Sequence, residues 1–117
     1  MHELSVVEGM VHILTRTARE NALKRIVAVR LKLGRLRGFD PRQIVLCFEM
    51  LSEGTRAQGA RLEINVVPPR CHCRSCGRIW EPDGFLLTCP TCGENNAEIE
   101  GGRELYIENV EGEPGSG

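Results

Sequence analysis

The segment CHCRSCGRIWEPDGFLLTCPTC, residues 71–92, decides how the rest of the chain is read. It holds two Cys-x-x-Cys units, CRSC (Cys73, Cys76) and CPTC (Cys89, Cys92), with twelve residues between them. Each pair fits a tight turn, and two such turns facing one another present four thiolates in a tetrahedron, the closed arrangement zinc takes in structural sites. Beyond Ile79, Trp80, Phe85, Leu86 and Leu87 the segment has few apolar residues, so bound metal must substitute for a core it cannot build. The reading is a zinc ribbon in which the ion is scaffolding. Hydrolysis would need a vacant coordination position, and redox use is disfavoured because four thiolates together are better locked by zinc. Cys71 and His72 add donors beside this set, Cys71 as a spare that could exchange with Cys73 and His72 as a candidate proton sensor.

Outward from this segment the chain reads as helices and strands. Leu4, Val7, Val11, Leu14 and Ala18 recur at intervals of three and four, which predicts a helix from about His2 to Asn21 with these residues inward. IVAVRLKL (26–33) predicts a strand with Val27, Val29, Leu31 and Leu33 on one face and Ala28, Arg30 and Lys32 on the other. Gly34 and Gly38 punctuate a turn. Asp40 before Pro41 is a helix entry, because the carboxylate can cap free amides while proline sits in the first turn, where its missing donor costs nothing. Ile44, Phe48 and Leu51 give that helix its inward stripe, with Cys47 beside it as a small buried hydrophobe. Ala60, Leu62, Ile64 and Val66 alternate with polar residues as a second strand that stops near Pro68 and Pro69.

Past the cysteines, RELYIENV (103–110) alternates through Leu105 and Ile107 as a third strand, too short to stand alone and so expected to return to the first sheet. The fold class expected is α+β: two helices packed on a small three-stranded sheet, with an inserted zinc-ribbon module. Residues 1–69 plus 102–112 would form a discontinuous α/β domain, 70–101 the zinc ribbon, and 113–117 a flexible tail.

Composition narrows the function. A chain of 117 residues can hide roughly two thirds of its unfolded surface, enough for one modest core and an appendage. Fifteen basic against sixteen acidic residues, a net charge of -1, lack the footprint of a nucleic-acid binder. No apolar run is long enough to cross a bilayer, and MHELSVVEGM is unlike a secretory signal, so the cytoplasm is the expected compartment. There, six cysteines suit metal better than disulfides.

The opening residues, MHE, offer a second kind of metal site. The Met1 amine and the His2 amide close a five-membered chelate, and the His2 amide and imidazole Nδ1 close a six-membered one. Three nitrogens so linked suit a tetragonal ion such as Ni(II) or Cu(II) more than zinc. The first backbone amides of a helix have no carbonyl partner, so using those of His2 and Glu3 breaks no helical bond. A planar site would need a fourth ligand from water, a distant side chain or a partner, whereas a six-coordinate one could admit Glu3. Methionine is expected to survive processing because the bulky His2 behind it is a poor context for its removal. Glu8 and His12, four apart on the same helix, read as a solvated ion pair rather than further ligands.

With MHE at the start, helix-strand-helix-strand order, two Cys-x-x-Cys units at this distance and a returning final strand, the chain resembles the HypA-type hydrogenase maturation factors, the nickel metallochaperone family that includes HybF. The resemblance implies a non-enzymatic carrier in which Met1, His2 and Glu3 bind Ni(II) for transfer and Cys73, Cys76, Cys89 and Cys92 bind structural zinc. It implies delivery of nickel during [NiFe]-hydrogenase assembly alongside a HypB-type GTPase and the hydrogenase large-subunit precursor. Some members also serve urease maturation, and homodimerisation is left open. Certain relatives carry a histidine near or after the second cysteine pair that can complete the nickel site; CPTCGENN has none. The competing reading is a zinc-ribbon adaptor for nucleic acid or a transcription or translation partner. Arg70, Arg74, Arg78 and Trp80 hint at it, but Glu81, Asp83, Glu94, Glu98 and Glu100 cancel their charge.

Overall fold

The structure, a computed structural model, describes residues 2–82 and 87–115. Helix α1 (Glu3–Glu20) is followed by β1 (Leu23–Gly34), a single 3-10 turn (Arg35–Arg37) and helix α2 (Pro41–Leu51). Strands β2 (Arg61–Val67), β3 (Arg70–Cys73), β4 (Ile79–Trp80), β5 (Ala97–Glu100) and β6 (Leu105–Pro114) complete the chain. One sheet has the order β2-β1-β6, so the last strand does return to the first, as its length requires; a second sheet, β4-β3-β5, lies wholly within residues 70–100. This is the expected α+β class. Among the described residues no helix is long and apolar enough to cross a membrane.

The chain divides into two compact units. The first comprises residues up to Lys32, Gly38–Asn65 and those from Tyr106; the second comprises Leu33–Arg37 and Val66–Leu105. In the first unit α1 and α2 pack on one another. The face α1 buries is Val7, Met10, Leu14 and Ala18. The sequence pattern placed Leu4 and Val11 there instead, but Leu4 is 44% exposed and Val11 half-buried. Both registers share Val7, Leu14 and Ala18, and Met10, unbranched and adaptable in packing, is the buried residue between Val7 and Leu14. The helix closes on Asn21, whose backbone N–H and side-chain Nδ2 both donate to the Thr17 carbonyl, and Ala22 at φ 52 turns the chain into β1.

Helix α2 begins as its sequence dictates: the Asp40 carboxylate accepts the Arg42 N–H at 2.9 Å and Pro41 occupies the first turn. Ile44 and Phe48 are its buried residues, while Cys47 and Leu51 are half-buried. Strand β1 is central and supplies much of the core, but its alternation changes phase. Ile26 and Ala28 are buried, then Val29, Leu31 and Leu33, whereas Val27 is only half-buried. Near its start the Ile26 N–H bonds to the Arg56 carbonyl in the connection after α2, so that end of the strand is covered from another quarter. On the edge strand β2, Val66 is 41% exposed instead of inward.

Cross-strand ion pairs cover the polar face. Arg30 bridges Glu63 at 2.8 Å and Glu111 at 3.0 Å, and Arg25 meets Glu113 at 2.6 Å. Exposed pairs of this kind stabilise by only about 0–1 kcal/mol each, and their effect here is to pin strand register. They also extend β6 through Pro114, past the point where a tail was expected from residue 113. Glu113 is held by Arg25, and the Gly115 N–H bonds to the Ala22 carbonyl at 2.7 Å.

In the second unit the crossing of Gly34 and Gly102 fixes the backbone. The Gly34 N–H donates to the Glu104 carbonyl at 2.6 Å and the Leu36 N–H to the Gly102 carbonyl at 2.8 Å. A Cβ on Gly34 would overlap the Gly102 carbonyl, and Gly102 itself, at φ 86, lies against Pro69. Gly9, by contrast, sits in α1 with nothing within 4 Å of where its Cβ would be. Substituting alanine should therefore have opposite effects at the two sites. Gly34→Ala should destabilise by about 1–3 kcal/mol through backbone overlap, and Gly9→Ala should stabilise by about 0.5–1 kcal/mol through helix propensity. Urea unfolding of the zinc-loaded variants reads both signs.

Candidate metal centre

Two equivalent turns bring the four cysteines together. In the first, the Cys73 N–H donates to the Arg78 carbonyl at 2.8 Å and the Gly77 N–H to the Cys73 carbonyl at 2.9 Å. In the second, the Cys89 N–H donates to the Glu94 carbonyl at 3.0 Å and the Gly93 N–H to the Cys89 carbonyl at 2.9 Å. Each turn closes on the residue after its second cysteine, at φ 81 for Gly77 and φ 78 for Gly93, the left-handed region where a side chain is strained. The sequence unit is therefore Cys-x-x-Cys-Gly, repeated, and the glycines carry the signal together with the cysteine spacing.

The sulfurs of Cys73, Cys76, Cys89 and Cys92 all lie within 4.8 Å of one another. Cys73 to Cys92 is 3.5 Å and Cys76 to Cys89 is 3.6 Å. A tetrahedral zinc with bonds of about 2.3 Å sets its sulfurs about 3.8 Å apart, so the quartet fits structural zinc with little adjustment and leaves no position vacant. Cys73 and Cys89 are buried while Cys76 and Cys92 are exposed. The Arg78 guanidinium donates to the Thr91 hydroxyl at 2.8 Å and ties one turn to the other.

The spare donors fall outside this set. Cys71 lies on β3, paired with Trp80 of β4 and Ile99 of β5, and is fully buried. Its sulfur is not among the four that gather within 4.8 Å of one another. Burial pushes the Cys71 thiol up, as befits a packed apolar residue. His72 pairs with Ile79 and Glu98 in the sheet and is half-buried outside the cluster.

Backbone dipoles polarise the metal-free thiols in a pattern that repeats by turn. The Cys76 and Ser75 amides hold Cys73 below the usual thiol range, and the Cys92 and Thr91 amides bring Cys89 down to about 6. The second cysteines go the other way. The Glu94 amide favours the Cys92 thiolate, but loss of hydration and the three neighbouring sulfurs outweigh it and raise Cys92 to about 12. Cys76 is raised likewise, against the pull of the Arg78 amide.

At the other end of the chain, Met1 lies outside the described residues. His2 is the N-cap of α1, extended at φ -91 and ψ 150, exposed, and without a side-chain capping bond. Glu3 is occupied: its Oε2 accepts the Asp40 N–H at 3.1 Å, and this bond, followed by its own amide, holds its carboxyl below the ordinary range. Sequence spacing could not reveal this pairing across 37 positions, which sets Asp40 beside the start of α1. Glu8 and His12 are both exposed.

The thiol pattern predicts how zinc binding responds to acid. Zinc requires four thiolates, so affinity falls as pH falls, and below about pH 6, where Cys89 regains its proton, each zinc must displace one proton more. The plot of log apparent affinity against pH, measured by competition with a chromophoric chelator, should steepen by about one unit through that region. The metal-free module should follow the same sign: the contribution of the depressed Cys89, complete above the ordinary thiol range, is lost as pH falls through about 6.

The chain matches the family profile described as "Hydrogenase/urease nickel incorporation, metallochaperone, hypA" over residues 1–112. A hydrogenase maturation factor HypA from Caldanaerobacter subterraneus subsp. tengcongensis is 36% identical over 112 residues, 95% of this chain and 98% of that protein. One from Dechloromonas aromatica is 37% identical over 111 residues, again 95% of this chain and 98% of the relative. Among solved structures, the Ni metallochaperone HypA from Helicobacter pylori, determined in solution, superposes with a TM-score of 0.67 at 25% identity, covering 97% of this chain and 99% of its own. Likeness over nearly the whole length of the chain, together with a thiol quartet shaped for zinc, establishes that the chain belongs to the HypA family of nickel-incorporation metallochaperones.

Proposed function

We propose that this protein carries Ni(II) at its amino terminus and delivers it for maturation of a [NiFe]-hydrogenase. The family is one of maturation factors, not enzymes, and nickel is its cargo. The donors assigned to nickel are the Met1 amine, the His2 amide and imidazole, and Glu3. Zinc is assigned to Cys73, Cys76, Cys89 and Cys92 as a structural ion. The observation that carries the reading is His2, exposed at the start of α1 with a side chain no capping bond uses. Its imidazole can turn to a metal without any helical bond being given up.

Glu3 contributes through its amide more readily than through its side chain, because one carboxylate oxygen already holds the Asp40 N–H. Both Asp40 carboxylate oxygens are engaged by Arg42, so the donor that the linked nitrogens leave open is assigned to water, a distant side chain or a partner. A position filled in that way is one that partner-supplied ligands could take over. The expected partners are a HypB-type GTPase and the hydrogenase large-subunit precursor, with urease maturation factors as further clients, and the expected compartment is the cytoplasm. The division of labour would follow the chain: residues 1–69 with 102–112 for nickel, 70–101 for zinc.

Protein with its native terminus should lose nickel affinity by more than about 100-fold on His2→Ala or on adding one residue before Met1, beyond what loss of a merely supporting residue costs. Zinc content should not change. Calorimetric titration with nickel checks both changes; affinity indifferent to them would refute the carrier assignment.

A further inference from the structure

Among the described residues, the side chain of Asn96 is the one outside the sulfur quartet that hydrogen-bonds a cysteine sulfur of the quartet. Asn96 immediately precedes β5, whose first residue Ala97 pairs with Cys73 at the end of β3. In the metal-free geometry the Cys73 thiol donates to Asn96 Oδ1 at 3.8 Å, while Asn96 Nδ2 donates to the Ser75 hydroxyl at 2.9 Å. Cys73 is 1% exposed, so its sulfur has little recourse to water.

This arrangement cannot survive metal binding unchanged. A zinc-bound sulfur carries no hydrogen and is an acceptor only, so leaving Oδ1 against it would face one acceptor with another. A half-turn of the amide resolves the conflict with no backbone movement. Nδ2–H then points at the Cys73 sulfur, and Oδ1 accepts from the Ser75 hydroxyl, which can serve as donor or acceptor. The Ser75 position suits both states, which a fixed donor or fixed acceptor would not.

We propose that Asn96 is the outer hydrogen-bond donor of the zinc site, its amide turning over on metal binding so that Nδ2–H is directed at the Cys73 sulfur while Ser75 anchors the other end. It acts as a positioning residue. By stabilising the thiolate against reprotonation it favours retention of the ion, and it ties the metal to the residue that leads into β5. The inference rests on zinc being held by the four cysteines.

The test uses full-length protein loaded with NMR-active cadmium in place of zinc. The cadmium shift reports four-sulfur coordination on its own. Scalar coupling from cadmium to an Asn96 side-chain amide proton, seen in a proton–nitrogen correlation spectrum, reports the bond to sulfur. Four-sulfur coordination with that coupling supports the proposal. The same coordination with no coupling overturns it and leaves the zinc assignment standing, whereas absence of four-sulfur coordination removes both. Independently, Asn96→Asp sets a carboxylate against the thiolate and should lower zinc affinity about 10- to 100-fold by chelator competition, with Asn96→Ala between it and wild type. Affinity unchanged in Asn96→Asp would equally overturn the assignment.

Discussion

Convergence of four sulfurs is the constraint on which the cysteine segment depends. Strands β3, β4 and β5 have four, two and four residues, well short of what a sheet needs to hold itself together in water. Among the described residues of the segment, Cys71, Cys73 and Cys89 are buried, and two of these three belong to the quartet. The ion therefore stands where a hydrophobic core would stand in a larger domain. The turns that present the sulfurs already point backbone amides at Cys73 and Cys89, so part of the energy of holding anions is built into the chain before metal arrives.

The first unit is built on the opposite principle. Its core is hydrocarbon, from Val7, Leu14, Ile26, Leu31, Ile44 and Phe48, and its polar groups work at the edges. The Glu3–Asp40 contact links the first turn of α1 to the N-cap of α2, so the start of α1 is anchored by a side chain while the imidazole next to it makes no capping bond. The nickel site proposed above would draw on that contrast between an anchored neighbour and a free one.

Much of this was legible in the sequence, for local reasons. Asp40-Pro41 announces a helix start because capping and proline geometry act within four residues, and the cysteine spacing announces a metal because ligand geometry does. What was not legible depends on distance or on subtle packing. The second sheet hides because its strands are short and alternate with charges such as Arg70, Glu98 and Glu100. Met10 displaces Val11 from the core, and β1 changes phase at Ala28 and Val29, choices made by packing rather than periodicity. The Glu3–Asp40 and Cys73–Asn96 pairings link residues that no window of sequence holds together. Cys71 is the donor that spacing alone leaves ambiguous, and its burial in the sheet, apart from the four gathered sulfurs, resolves it.

The paired turns have a steric corollary. Gly77 and Gly93 each lie in the left-handed region just past the second cysteine of a turn, so any larger residue there would strain the main chain that presents two sulfurs. A lesion at either glycine would reach the ion through the backbone while leaving all four donors chemically intact.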